Sequence, residues 1–180
     1  MSTAAAKADA GEGGSSGRRV VTQVTSLDAV VGAHPDALRA IYHAGRPTDP
    51  AELGDAPRGA LLSLSERHGL FLVTRPLIRA LGNGLLPWKG KTFDHGGNSG
   101  QNVIFDKPVL RFHAELGPSA LDGRHALILR YDTPAYKNPW PFSAMVDELR
   151  TVGAGIAIGP ALITMAGGAA VLFWYGLEAR

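Results

Sequence analysis

The sequence predicts a mostly β (α+β) protein, built as an antiparallel curved sheet or small lipocalin-like barrel with a few flanking helices. Three observations predict it. From residue 58 onward, short alternating runs of strand type follow one another closely, and the segments between them are rich in Gly, Asn, Asp and Pro. The chain then closes with two apolar runs of strand length. A sheet that closed into a barrel would also leave no strand edge exposed.

The composition excludes several kinds of site and partner. None of the 180 residues is Cys, so disulfides, thiolate zinc sites and a cysteine nucleophile are excluded. The formal net charge is only +2 and the basic residues are scattered, which argues against nucleic acid as a partner. There is no Walker A motif and no metal-ligand spacing, so we expect neither a cofactor nor a metal.

The N-terminal residues predict a tail that does not fold. Residues 1–17 consist mainly of Gly, Ser and Ala and contain no continuous apolar segment, unlike a secretory signal peptide. Such a composition buries too little surface to offset the loss of chain entropy on folding. We therefore expect residues 1–19 to be a disordered tail and the protein to be cytoplasmic.

Residues 20–57 predict a helical N-terminal extension. Ser26 is placed to cap a short helical turn, and Pro35 suits the first turn of a longer helix that ends at Gly45. One face of the longer helix carries Leu38, Ile41 and Tyr42.

The β-rich domain is expected to span residues 58–180. Its predicted strands are residues 59–65, 89–94, 101–105, 109–116 and 125–132. The last two are separated by a segment that contains Asp122-Gly123, and Asp-Gly between alternating runs is typical of a β-hairpin.

Two helices are predicted within this domain. Residues 71–81 form an apolar segment that Pro76 interrupts. Residues 139–152 form the second helix, which Gly153 is suited to end. Its apolar residues recur at helical spacing, at Phe142, Met145, Val146 and Leu149.

Residues 153–177 contain no charged side chain and are long enough to span a bilayer as a helix. Pro160 and the pair Gly167-Gly168 argue against a continuous helix, because they divide the stretch into halves of strand length. In the second half, the residues predicted to alternate onto one face are Val171, Phe173, Tyr175 and Leu177. We therefore favour a core hairpin over a membrane anchor.

The most distinctive stretch surrounds Trp88, and two interpretations of it stay open. In one, Trp88 lies at the mouth of a cavity, and Lys89 or Lys91 reaches an anionic group of a ligand. In the other, which we favour, Trp88 plugs the end of the barrel and both lysines are solvated. Gly90 permits close backbone approach in either case.

The order of elements beginning with this stretch has a counterpart in known sequences. Trp88-x-Gly90-Lys91-x-Phe93-Asp94 resembles the second Trp-Gly element of the uncharacterised bacterial GXWXG-type proteins. Leu129-Arg130-Tyr131-Asp132-x-Pro134, then Asp147 and the closing apolar strands, follow in the same order. Leu86 stands where a full G-x-W-x-G pattern has Gly. The resemblance covers residues 88–178 and implies a compact, β-rich bacterial domain, and it carries over no catalytic residue.

A polar cluster is predicted on one strand, where Arg111, His113 and Glu115 share a face. Such a triad would suit carboxylate binding or acid–base chemistry, since His titrates near neutral pH. A half-exposed strand shows the same alternation, and we favour a solvated face. The opposite, apolar face is predicted to carry Leu110, Phe112, Ala114 and Leu116.

On the next strand, Arg130 and Asp132 are expected to share the polar face. We expect Asp132 to form a surface ion pair with Arg130 or with Arg111.

The remaining candidate ligand contacts are aromatic. Trp140 and Phe142 lie in a Pro-rich entry to the predicted late helix, where they either cover an apolar pocket or, as we favour, fix the helix to the sheet. The residues predicted to bind a ligand are Trp88, Lys91, Tyr131, Trp140, Phe173 and Tyr175.

Three functions are compatible with this architecture. The favoured one is a non-catalytic binder of a small hydrophobic molecule, a lipid or an isoprenoid, held in the barrel. The second is an enzyme, an isomerase or a hydrolase that uses His113 with Glu115 or Asp132, and it requires those side chains inside the cavity. The third is an accessory protein tethered to a membrane through residues 153–177.

Overall fold

The computed structural model describes residues 23–64, 87–165 and 168–180. Two helices, α1 (Pro35–Ala44) and α2 (Pro50–Leu53), come early in the chain, and 3-10 turns cover Leu27–Ala29, Pro134–Tyr136 and Phe142–Ala144. The strands are β1 (Arg46–Pro47), β2 (Arg58–Leu64), β3 (Trp88–Phe93), β4 (Ser99–Ile104), β5 (Lys107–Pro118), β6 (His125–Arg130), β7 (Met145–Gly153), β8 (Ile156–Met165) and β9 (Gly168–Glu178).

Eight of these strands, β2 to β9, close into an antiparallel barrel. Each strand pairs with the next one in the sequence, and β9 pairs with β2 to complete the ring. The short strand β1 pairs with the second half of β7, where Arg46 lies opposite Thr151. The predicted class, a mostly β antiparallel barrel with a few helices, is confirmed.

The wall of the barrel is buried on both of its faces over much of its area. One cluster of side chains fills the interior, and it comprises Leu53, Phe93, Phe112, Ala114, Leu127, Leu129, Tyr131, Leu149, Ala157, Ala161, Tyr175 and Leu177. A second cluster lies between the wall and the N-terminal segment, and it comprises Val24, Leu27, Val30, Val31, Leu38, Tyr42, Ala60, Leu62, Ala126, Ile128, Ile156, Ile158 and Trp174.

The N-terminal segment follows the predicted capping chemistry. The Ser26 hydroxyl accepts a hydrogen bond from the backbone N–H of Asp28, at the start of the first 3-10 turn. Helix α1 begins at Pro35, and its apolar face is buried on the barrel wall through Leu38 and Tyr42. The helix ends at Gly45, as predicted.

The long apolar stretch near the C-terminus forms two neighbouring strands of the barrel. β8 and β9 pair along their whole length, from Ile156 opposite Glu178 to Met165 opposite Gly168. The predicted hairpin is confirmed, and the alternative of a helical anchor over residues 153–177 is wrong. Across the described parts of the chain, none of the helices is both long enough and apolar enough to cross a bilayer.

One predicted face in β9 is wrong at Val171. The pairing of β8 with β9 shifts between Ala161 and Leu162, so Ala161 lies opposite Phe173 while Leu162 lies opposite Val171. This β-bulge places one extra residue in β9 and reverses the alternation. Val171 therefore packs against the outer cluster, whereas Phe173 packs against the inner cluster.

The predicted helix over residues 139–152 is also wrong. Only the turn Phe142–Ala144 is helical, and Met145–Gly153 is strand β7. The apolar spacing was compatible with a helix because β7 is buried on both faces, which removes the polar–apolar alternation of a half-exposed strand. Gly159 of β8 permits the close approach to β7, since a Cβ there would lie 1.6 Å from the carbonyl oxygen of Glu148.

Two predictions fall outside the described residues, namely the disordered tail at residues 1–19 and the apolar helix at residues 71–81.

The predicted hairpin around Asp122-Gly123 is confirmed. β5 and β6 pair on either side of this segment, up to Pro118 opposite His125.

Candidate functional site

A cavity of about 430 Å³ lies inside one end of the barrel. Its rim is formed by apolar side chains that are half-buried or partly exposed, namely Leu61, Ile104, Leu110, Pro141, Phe142, Met145, Leu172 and Phe173. The deeper part of the lining is polar and buried, and we call it the floor. The floor residues are Lys91, Asn102, Tyr131, Asp147 and Tyr175, and Trp88 lies beside them.

The register of the strands brings the floor residues together. Lys91 of β3 lies opposite Asn102 of β4, and Asp147 of β7 lies opposite Ala161 of β8. Residues directly opposite each other share a face of the sheet, so these side chains point into the barrel. Tyr131 follows β6 directly and enters the same space.

Lys91 is the centre of the floor, and its ammonium has all three of its hydrogens engaged. Nζ donates to Oδ1 of Asn102 at 2.9 Å, to the hydroxyl of Tyr131 at 2.7 Å and to Oδ2 of Asp147 at 2.8 Å. The aromatic rings of Trp88, Phe112, Tyr131 and Tyr175 surround the charge, with centroids 5.1–5.8 Å from Nζ.

The neighbours of Lys91 are bonded to one another as well. The Tyr131 hydroxyl donates to Oδ2 of Asp147 at 2.8 Å and accepts from Nδ2 of Asn102 at 2.9 Å. Oδ1 of Asn102 also accepts from the indole N–H of Trp88 at 3.0 Å, and Nδ2 donates to the carbonyl of Leu110 at 3.3 Å. Lys91, Asn102 and Tyr131 thus have their hydrogen-bonding capacity fully used.

Burial sets the protonation behaviour of the floor. It lowers the pKa of the Lys91 ammonium from its ordinary value, and the Asp147 carboxylate opposes that change. It raises the pKa of the hydroxyls of Tyr131 and Tyr175 well above the ordinary value, and the charge of Asp147 raises the pKa further. Both tyrosines therefore stay protonated and neutral at physiological pH.

Two polar atoms of this site are buried and lack a hydrogen-bond partner among the described residues. They are Oδ1 of Asp147 and the hydroxyl of Tyr175. Buried polar groups are normally hydrogen-bonded, and leaving one unpaired costs about 1–3 kcal/mol. Both residues line the cavity.

Five of the six residues predicted to bind a ligand line this one cavity, and the sixth, Trp140, does not. Its side chain is 80% exposed, so it does not fix an element to the sheet either. Its neighbours Pro141 and Phe142 do line the cavity. The favoured interpretation of Lys91 as a solvated side chain is wrong, because Lys91 is buried. The competing interpretation placed Trp88 at the mouth of a cavity, whereas Trp88 lines the cavity beside the buried floor.

The polar cluster on β5 lies outside the barrel. Arg111, His113 and Glu115 are exposed, while Phe112 and Ala114 between them are buried in the interior. The enzyme hypothesis required these side chains, or the exposed Asp132, inside the cavity. The structure does not place them there.

The apolar face predicted for β5 holds only in part, since Leu116 at the end of that face is 64% exposed.

The expected ion pairs of Asp132 are replaced by others. Arg130 pairs with Glu115 at 2.6 Å on the neighbouring strand, and Arg111 pairs with Asp94 at 2.7 Å. Glu115 lies on the neighbouring strand β5, and Asp94 follows β3, which is separated from β5 by β4, so sequence spacing along one strand reveals neither contact.

Sequence reasoning missed the roles of Asn102 and Asp147. Asn102 lies in a strand that was correctly predicted, and its amide gave no sign of a role. Asp147 lies within residues 139–152, the segment predicted as a helix, and the sequence pattern assigned it no contact. A strand assignment for residues 145–153 would have shown Asp147, Leu149 and Thr151 on one face.

The comparisons with known proteins bear on the fold. No family model matches this chain, and no curated protein matches it in sequence. Among solved structures, a crystal structure of a protein from Thermomonospora curvata aligns with 86% of this chain and 93% of its own, with a TM-score of 0.51 and 15% sequence identity. At that identity the likeness shows the fold alone, and it agrees with the mostly β class that the sequence predicts.

Proposed function

We propose that this protein is a non-catalytic binder that holds one small, mostly apolar molecule inside the barrel, as lipocalin-like barrels do. The observation that carries the proposal is the cavity of about 430 Å³, which falls within the usual range for ligand sites. Its wall is apolar except for one compact polar cluster at the floor, and that combination suits a ligand with an apolar body and a single polar head.

The burial of the floor residues, and the hydrogen bonds among them, support the proposal of a ligand-binding site. Each fully satisfied side chain of the floor is held by at least two others, so the site is rigid before a ligand arrives. A preorganised site loses less entropy on binding. The half-buried rim residues Leu110 and Phe173 offer apolar surface that a ligand would remove from water.

Binding can be tested with the neutral fluorescent probe N-phenyl-1-naphthylamine, whose emission rises in an apolar environment. We expect the full-length protein to bind it, and we expect Met145→Trp, which fills the cavity, to weaken binding by at least about tenfold. Leu116→Trp adds the same ring on the exposed outer face of β5 and should leave binding unchanged.

The proposal is overturned if the folded wild-type protein does not raise the probe's emission, or if the two tryptophan variants bind it equally well. Native mass spectrometry of the protein as purified gives a second readout. A copurifying mass that Met145→Trp loses and Leu116→Trp keeps would support the proposal.

A further inference from the structure

The hydrogen-bond donors at the floor of the cavity are nearly all paired, whereas an acceptor is left unpaired. The donors of Lys91 and Asn102 are all used within the protein, and so is the hydroxyl hydrogen of Tyr131. Among the described residues that line the cavity, two buried polar atoms lack a hydrogen-bond partner, Oδ1 of Asp147 and the hydroxyl of Tyr175.

These two atoms define what a head group must supply. An ionised carboxylate oxygen only accepts hydrogen bonds, so Asp147 requires a donor from the ligand. The Tyr175 hydroxyl both donates and accepts, so it can complete the contact with a group that also carries an oxygen. A hydroxyl or a primary amide meets both requirements, whereas an ether or an ester carbonyl leaves Asp147 unpaired.

Charge at the floor argues against ionised ligands. The single positive charge of Lys91 lies 2.8 Å from Asp147 and is neutralised by it. A ligand carboxylate would face the carboxylate oxygen of Asp147, and the described residues that line the cavity offer no second cation to compensate it. A ligand ammonium would have to lose its hydration shell in an apolar cavity that already contains a buried ammonium.

We propose that the barrel selects neutral ligands whose head group donates a hydrogen bond, alcohols or primary amides, over carboxylates, amines and molecules that only accept. This inference rests on the proposed function and specifies the ligand class for the same cavity. It departs from the expectation that Lys91 reaches an anionic group, because the three hydrogens of Lys91 are already engaged.

Four eight-carbon compounds that share a straight chain and differ in the head group test the selection by calorimetric titration. They are 1-octanol, sodium octanoate, octylamine and 1-methoxyheptane. We expect 1-octanol to bind about tenfold more tightly than 1-methoxyheptane, because it pairs an acceptor that is otherwise buried and unpaired. Octanoate and octylamine should bind more weakly than 1-octanol.

Variants of Asp147 and Tyr175 test what each of the two unpaired atoms contributes to the binding of 1-octanol and the ether. Tyr175→Phe should weaken the binding of 1-octanol and of 1-methoxyheptane alike, by about threefold, because the oxygen of either compound can accept from the Tyr175 hydroxyl, and the preference set by Asp147 should remain. Asp147→Asn, if its oxygen keeps the contact with Lys91, presents an N–H to the cavity and should shift the preference toward the ether. Phe173→Leu changes only the apolar rim and should weaken binding of all four compounds alike.

The outcomes separate the two proposals. If neither these compounds nor the naphthylamine probe bind, the barrel is not a ligand site and the proposed function fails. If the probe and the chains bind but 1-octanol is no tighter than the ether, or the acid or the amine is equally tight, only the selection of donors fails. Should Asp147→Asn not fold, the comparison of 1-octanol with the ether on the wild-type protein still decides the selection, and affinities that Tyr175→Phe leaves unaltered contradict the role of Tyr175.

Discussion

A lysine inside a barrel keeps its charge only where several groups replace the water that it has lost. Lys91 meets that condition through three acceptors and four aromatic rings, but none of these contacts restores full hydration. Its burial lowers its pKa for that reason. The free energy of Lys91 in the folded state therefore depends on Asp147, the only group of the floor that carries the opposite charge.

Replacing either Lys91 or Asp147 alone should lower the free energy of unfolding more than replacing both. Lys91→Met leaves the Asp147 carboxylate buried without its cation, and we expect the free energy of unfolding to fall by about 3–5 kcal/mol. The double variant Lys91→Met with Asp147→Leu replaces the pair with apolar side chains, and it should recover most of that loss. Urea unfolding measures both values.

Lys107 serves as the matched control, because it is an exposed lysine at the start of β5. Lys107→Met should change the free energy of unfolding by less than about 0.5 kcal/mol. If the double variant is as unstable as Lys91→Met, the loss comes from packing around Lys91 and not from the unpaired carboxylate.

The sequence identified Lys91 as a candidate ligand contact, but it did not reveal that Lys91 is buried and paired with a carboxylate. Trp88 and Gly90 marked the segment as unusual, and a lysine beside them suggested two alternatives. Only the contact with Asp147, which lies 56 residues away, decides between them. Neither propensity nor periodicity carries information about pairing at that separation.

At the scale of elements, strand β7 connects the two buried layers. Asp147 points into the barrel, while Glu148 and Arg150 point outward beneath helix α1. Glu148 accepts from the hydroxyl of Tyr42 at 2.6 Å and from that of Ser119 at 2.5 Å. Because these charged side chains are buried and paired, β7 has no solvent-exposed polar face, and its sequence lacks the alternation of a half-exposed strand.

Arg150 joins three elements through one carboxylate. Its guanidinium donates to both oxygens of Asp122, at 2.7 and 2.8 Å, in the segment between β5 and β6. His43 of α1 lies 2.7 Å from the same carboxylate, and the Arg150 guanidinium lies over the ring of Tyr42 at 4.3 Å. The hydrogen bonds from Arg150 hold the pKa of Asp122 well below its ordinary value of 3.8, and the contact with His43 lowers it further.

Asp122→Ala should lower the free energy of unfolding by about 3 kcal/mol near pH 7, since it leaves a buried guanidinium without its carboxylate. The difference from wild type should shrink with acid. The folded carboxylate resists protonation, so its contribution is complete above the unfolded pKa and is lost as the pH falls below about 4.

Thermal and urea unfolding between pH 2 and pH 7 would measure this. Asp132→Ala is the matched control, because Asp132 is an exposed aspartate that follows β6, and it should cost less than about 0.5 kcal/mol. A wild-type curve that runs parallel to that of Asp122→Ala down to pH 2 would contradict the role of Asp122.

For the whole molecule, closure of the barrel follows from the order of the strands. Strands β2 to β8 each pair with their successor, and the last strand, β9, completes the ring by pairing with β2. The sequence predicted this curvature from short strands separated by turn residues. It did not fix which strands lie at the seam, because that depends on contacts between residues more than 100 positions apart, such as Arg58 opposite Glu178.

Strand β9 closes the barrel between β2 and β8, and deleting residues 169–180 should abolish folding. The deletion removes three side chains that are almost wholly buried, Trp174, Tyr175 and Leu177, and it leaves unpaired edges on β2 and β8. Removal of residues 1–19 is the control, since their composition predicts little buried surface and an unchanged thermal midpoint. Circular dichroism and limited proteolysis compare both truncations with the full chain. If the β9 deletion is soluble and unfolds cooperatively, the other strands form a stable sheet without closure. Seven strands would then be enough to form the walls of the cavity.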